Sequence, residues 1–220
     1  RQNDRLDRFA SRASHDLRNP LSAAKGRLEL ARERHEDNED IRAALDALAD
    51  ADARIDEILE FARLGGTVTE PQSVSLSDVA RAAWDRVGES AATMTIEDDI
   101  EVQGDRDRIK RLLENLFRNA VEHGSTSSRT ESDDGVERGD RRVTVRVGTL
   151  SEESGFYVTD DGPGIPVEDH ETVLESGYTT SEDGSGFGLA IVAEIAAAHE
   201  WDVRLSESVD GGVRFEFIGT

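Results

Sequence analysis

The sequence predicts two structural units in series, an antiparallel helical hairpin followed by a two-layer α/β sandwich. Three observations point to this. Apolar residues recur at alternating steps of three and four over the first 62 positions. Gly65, Gly66 and Pro71 then interrupt that rhythm in a short polar stretch. Beyond it, runs that alternate apolar and polar, such as Val143, Val145, Val147 and Phe215, Phe217, are interleaved with helical patterns.

Residues 1–34 read as one long helix, with Leu6, Phe9, Ala13, Leu17, Leu21, Ala24, Leu28 and Ala31 on an a/d seam. Residues 35–39 are all polar and read as a turn. A second helix places Ile41, Leu45, Leu48, Ala51, Ile55, Ile58 and Ala62 on its own seam. One hairpin cannot bury both stripes, whereas two hairpins paired as a four-helix bundle can; packing on the chain's own second domain is the alternative. The expected boundaries are 1–64 for the hairpin, 65–73 for a linker and 74–220 for the sandwich. Within the last, helices are expected at about 77–88, 105–123 and 187–199. Strands are expected at about 93–97, 142–149, 155–159, 202–207 and 213–218. The last helix is apolar on most sides (Leu189, Ile191, Val192, Ile195) and should pack tightly on the sheet. Residues 124–141 are polar and aperiodic, as a long flexible loop is.

The chain carries 48 acidic against 26 basic residues, a formal charge of −22, and only Lys25 and Lys110 are lysines. Such a surface repels nucleic acid and suits concentrated salt, where self-repulsion is screened over a few ångströms. A halophilic source is expected, a halophilic archaeon in particular. With no cysteine there are no disulfides and no thiolate metal sites. No apolar run approaches the roughly 20 residues a membrane span needs, so a cytoplasmic fragment is expected. The chain opens on Arg1 already in a helical pattern, as a piece of a longer protein would.

Four short segments carry chemistry. The first is Ser14-His15-Asp16-Leu17-Arg18-Asn19-Pro20. His15 lies two positions from both Ala13 and Leu17 and so points away from the seam. An exposed helical histidine is usually only solvated, but Asp16 can hold one ring nitrogen and leave the other as a nucleophile. Asn19 stands one turn on, and Pro20 removes the bond to the carbonyl of Asp16, loosening the helix at a cost of about 3 kcal/mol. The second segment places Asn115 and Asn119 four apart on one helix face, where neutral amide oxygens suit a hard cation such as Mg²⁺ that substrate phosphates also hold; solvated or capping amides are the commoner reading of such a pair. The third is Asp160-Asp161-Gly162-Pro163-Gly164 after a strand. There the glycines admit close backbone approach and a carboxylate can accept from an adenine amine; a simple turn is the alternative. The fourth, Gly184-Ser185-Gly186-Phe187-Gly188-Leu189, opens the last helix with bare amides suited to phosphate. It is neither a dinucleotide fingerprint nor a P-loop. Each segment alone is weak; the three nucleotide segments in this order within one domain are strong.

With those residues in view, nearly the whole chain resembles the sensor histidine kinases of two-component signalling. The His15 segment resembles the family's H box and Asn115 to Ala120 its N box. Asp160 to Gly164 and Gly184 to Leu189 resemble its two glycine boxes, and residues 174–180, ending in Thr180, its F box. The resemblance implies a sandwich of the GHKL ATPase type, with ATP and Mg²⁺ as cofactors. It implies that His15 is the phosphoacceptor, Asp16 its general base and Asn19 the residue that orients water during dephosphorylation. Asn119 is implied as the main Mg²⁺ ligand with Asn115 nearby, and Asp160 as the adenine partner. His123, Gly162, Gly164, Thr180, Gly184, Ser185, Gly186, Phe187, Gly188 and Leu189 are implied around the nucleotide, with residues from about 161 to 187 forming a lid. The implied partners are a second copy, through residues 1–64, and the receiver domain of a response regulator.

Two positions depart from the pattern: Leu174 replaces the usual F-box phenylalanine, and Glu122 stands where a phosphate-touching lysine is common. Two rivals remain. A gyrase- or chaperone-type ATPase carries a water-activating glutamate four residues before its metal asparagine, where this chain has Asn115, and Glu114 should project to another face. A signalling scaffold that binds nucleotide but catalyses little is the other. No basic patch supports nucleic-acid binding, and His35, His170 and His199 have no clustered partners.

Overall fold

The computed structural model describes residues 21–31, 38–63, 67–68, 70–87, 92–98, 100–126, 142–170, 172–174 and 186–219. They divide into two compact units, one drawn from Arg1–Gly66 and Thr179–Phe187, the other from Thr67–Tyr178 and Gly188–Thr220.

In the first unit residues 21–31 are helical (α1) and α2 spans Glu39–Arg63. Asn38 starts α2: its Oδ1 accepts from the amides of Asp40 (3.0 Å) and Ile41 (3.2 Å), while Glu39 and Asp40 place negative charge at the positive end of the helix dipole. The seam expected along α1 is visible as alternating exposure. Leu21, Ala24, Leu28 and Ala31 are half-buried, while Ser22, Ala23, Lys25, Arg27 and Glu29 are exposed. On α2 Ile41, Leu48, Ala51 and Ile55 are half-buried and Leu45 is buried. Ile58 is 46% exposed in the single chain, and its neighbour Leu59 is buried. Leu59 lies 18 residues after Ile41, about five full turns at 3.6 residues per turn, so the sheltered stripe of a straight helix returns at Leu59.

The second unit is the two-layer sandwich. Its five-stranded sheet has the order β2-β4-β5-β7-β6, built from Ala92–Ile96 (β2), Val143–Thr149 (β4), Gly155–Asp160 (β5), Asp202–Glu207 (β6) and Val213–Ile218 (β7). The β2–β4 pair is parallel and the others are antiparallel. Alternation decides the faces. Val143, Val145, Val147, Phe156, Val158, Val213, Phe215 and Phe217 are buried. Three helices supply the second layer: α3 (Leu76–Val87), α4 (Arg106–Thr126) and α5 (Gly188–Ala198). Ile191, Val192, Ile195 and Ala196 of α5 have no exposure, as the apolar run around that helix requires. Aromatic pairs pack within each layer: Phe156 stacks on Phe217 at 4.8 Å in the sheet, and Trp84 meets Phe117 edge-on at 5.4 Å between α3 and α4.

Two strands were not anticipated. Gln72–Ser75 (β1) and Glu101–Gly104 (β3) pair with each other in a separate antiparallel ribbon, each burying one aliphatic side chain, Val74 or Val102. β1 takes up residues 72 and 73 of the segment read as a linker, where the amide of Val68 also donates to the Ala198 carbonyl (2.8 Å). α4 runs to Thr126, so residues 124–126 of the expected loop are helical; residues 127–141 lie outside the described ones.

Candidate functional site

The asparagine pair sits on α4, whose start is set by Asp105: its Oδ1 accepts from the amides of Asp107 (2.9 Å) and Arg108 (3.1 Å). From there Ile109, Leu112, Leu113, Leu116 and Phe117 bury one face of the helix. Asn115 is itself buried, and its Nδ2 donates to the Arg111 carbonyl at 2.9 Å. That bond leaves Oδ1 as the free end of the amide. A Cβ placed on Gly188 would lie 3.4 Å from Asn119 Oδ1 and 3.6 Å from Asn115 Oδ1. Both amide oxygens therefore converge on the first residue of α5, where unpaired backbone amides and the helix dipole favour anions. This is a donor set for a hard cation that shares its shell with phosphate oxygens. Among the described residues no group of three or more His, Asp or Glu could hold a metal.

Glu114, one residue away, has a different task. It is buried and faces three cations: Lys110 Nζ (3.2 Å), Arg111 (3.3 Å) and Arg86 of α3 (3.4 Å). Burial raises its carboxyl, but the hydrogen bonds and charges of Lys110 and Arg111 outweigh that and hold it below the ordinary glutamate range. Glu114 thus clamps α3 to α4 and does not share the asparagines' face, as the spacing anticipated.

The first glycine segment leaves β5, the central strand, at Asp160. Asp160 Oδ1 accepts from the Gly162 amide (2.8 Å), and a Cβ on Gly162 would stand 2.9 Å from that oxygen. Gly164 has φ +75°, in the region only glycine enters cheaply. Asp161 accepts from the Thr144 amide (2.7 Å), tying the segment to β4, and His170 Nε2 lies 3.0 Å from the Ile165 carbonyl. Before α5, Gly186 has φ +71°; Phe187 and Leu189 are half-buried. Glu122 is exposed and Leu174 half-buried. His15, Asp16, Asn19, Thr180, Gly184 and Ser185 lie outside the described residues, as does the side chain of His123.

His199, which has no clustered partner in the sequence, is a joint between α4 and the end of α5. Its Nε2 accepts from the Asp105 amide (3.0 Å), its Nδ1 faces the Ile195 carbonyl (2.7 Å), and its ring stacks on Trp201 at 4.4 Å. Only the neutral ring protonated on Nδ1 satisfies both bonds, and burial lowers its pKa from the ordinary histidine value.

Residues 104–218 match the family described as histidine kinase-, DNA gyrase B- and HSP90-like ATPase. The chain belongs to that family. Residues 5–67 also match the His Kinase A (phospho-acceptor) domain. In this ATPase family the chain is similar to the sensor histidine kinase ZraS of Klebsiella oxytoca, 30% identical over 96% of this chain and 45% of that protein. The chain spans less than half the length of that relative. Among solved structures it resembles full-length ShkA in complex with AMPPNP (TM-score 0.61, 23% identity, 97% of this chain and 46% of that one). It also resembles the Acinetobacter baumannii histidine kinase AdeS (TM-score 0.58, 18% identity, 93% and 97%). At these identities the two structures speak to fold. Among the described residues no helix is long and apolar enough to cross a membrane.

Proposed function

We propose that the chain is the core of a sensor histidine kinase. ATP binds the second unit, the γ-phosphoryl passes to His15, and an aspartate of a receiver domain then takes it. The observation that carries this reading is the convergence of the Asn115 and Asn119 amide oxygens on the N-terminus of α5, in a chain whose residues 5–67 match a phospho-acceptor domain. Asp160 accepts from the adenine amine, and the α5 amides meet the phosphates. Mg²⁺ held by Asn119 and Asn115 together with the phosphates would neutralise charge on the triphosphate. Catalysis is then chiefly positioning: Asp16 fixes the His15 tautomer and receives its proton, and Asn19 orients water in any dephosphorylation.

The unit boundaries in this reading are 1–64, 65–73 and 74–220. Two copies pair through residues 1–64, which supplies cover for Leu30 and Ile58, 55% and 46% exposed in the single chain. The −22 charge with two lysines supports a halophilic setting, and unfolding temperature should rise steeply with molar KCl. Incubation with γ-labelled ATP tests the reading. An acid-labile label that His15→Gln abolishes is expected; label surviving that substitution contradicts it. The ATPase alternative predicts steady phosphate release without phosphohistidine. It is disfavoured by Asn115 at the water-activating position and by Glu114 being committed to Arg86, Lys110 and Arg111. The scaffold alternative predicts nucleotide binding without label.

A further inference from the structure

Asp160 is bounded on one side by the turn between β6 and β7. A Cβ on Gly212 would overlap both the carbonyl oxygen and Oδ1 of Asp160 and come within 2.6 Å of its carbonyl carbon, so that turn sits directly against the carboxylate. The carbonyl oxygens of Gly211 and Gly212 also stand 3.4 Å from where a Cβ of Gly164 would be. Any sideways shift of the turn moves the wall against which Asp160 rests.

The turn is held in two ways. Internally, the Ser208 amide donates to the Gly212 carbonyl (2.8 Å) and the Gly211 amide to the Ser208 carbonyl (3.0 Å). Externally, the Asp210 carboxylate is bonded by the Arg146 guanidinium. Arg146 stands on β4 opposite Thr159, the residue before Asp160. It belongs to the sheet face opposite the buried Val145 and Val147, where Glu97 Oε1 is 4.0 Å from its Nε and Glu97 Oε2 accepts from the Tyr157 hydroxyl. The chain of contacts Tyr157–Glu97–Arg146–Asp210 thus ends on the turn that abuts Asp160.

We infer that Arg146 and Asp210 are positioning residues for adenine recognition: their ion pair on the far face of the sheet fixes the β6–β7 turn and, through Gly212, the Asp160 carboxylate. The inference rests on the reading of Asp160 as the adenine partner. Both partners are partly exposed, 34% and 44%, so the effect is modest. Asp210→Asn leaves Arg146 its Glu97 partner and should not unfold the chain.

The test uses the full chain and measures Kd for ATP and for purine riboside triphosphate, which lacks the exocyclic amine. In Asp210→Asn the Kd for ATP is expected to rise about two- to fivefold, the size of an exposed ion pair, with the analogue unaffected. The swap Arg146→Asp with Asp210→Arg is expected to restore the ATP preference. An unchanged preference in Asp210→Asn overturns the tether, and so does an equal loss for both nucleotides. Asp160→Ala, which removes the acceptor, distinguishes the two levels. If it erases the preference while Asp210→Asn does not, only the tether fails. If Asp160→Ala keeps the preference, the reading of Asp160 fails and the tether with it.

Discussion

The two units bury their apolar residues to very different degrees. In the second, Phe117, Leu112, Leu113, Val145, Val147, Ile191 and Ile195 have no exposure, and the helical and sheet faces cover each other. In the first, among the described residues, only Leu45 and Leu59 are buried apolar side chains, while Leu30 and Ile58 stand about half open. Helices in proteins gain most of their stability from tertiary packing. The comparison therefore teaches that the second unit holds its own core, whereas the first leaves apolar side chains such as Leu30 and Ile58 open in the single chain.

The largest effect is expected where burial is complete. Phe117→Ala should cost about 3–5 kcal/mol in chemical denaturation, since it opens a cavity beside Trp84; a cost under about 1 kcal/mol would mean that the α3–α4 seam is loosely packed. Glu114→Ala should cost about 2–3 kcal/mol by leaving Lys110, Arg111 and Arg86 without their shared anion. Glu114→Gln, read in the same denaturation series, should recover part of that loss.

Acid should weaken the joint at His199. Its pKa is lowered in the fold, so the unfolded chain takes up the proton first. Stability is then full above about pH 6.5 and falls as pH drops through that value toward the folded pKa, by at most about 1.4 kcal/mol per pH unit. Unfolding followed from pH 7.5 to 5.5 should show that slope, and His199→Gln should flatten it. The smallest effect is expected in the first unit. Ile58→Ala should change the melting of the second unit by less than about 0.5 kcal/mol and should weaken only the concentration-dependent association, followed by analytical ultracentrifugation.

The same contrast explains what could be read in advance. Val143, Val145 and Val147 on β4 and the apolar turns of α5 announce themselves because periodicity records burial by an adjacent layer. β1 and β3 do not, because each is four residues long and buries a single aliphatic side chain, Val74 or Val102, against the other strand of a ribbon. The asparagine pair was legible because four residues set one helix face. The neighbours of Asp160 were not, because Gly212 and Asp210 come from a hairpin some fifty residues later. Glu114 was legible in direction only, since its partner Arg86 lies on another helix.

The most direct test of the central claim is titration of ATP with and without Mg²⁺, in the intact chain and in Asn119→Ala, followed by calorimetry. Tight binding that depends on Mg²⁺ in the intact chain, with that dependence lost when the Asn119 amide is removed, is the predicted result. Equal affinity for ATP in both proteins, indifferent to Mg²⁺, would contradict a site built on the amides that meet at the start of α5.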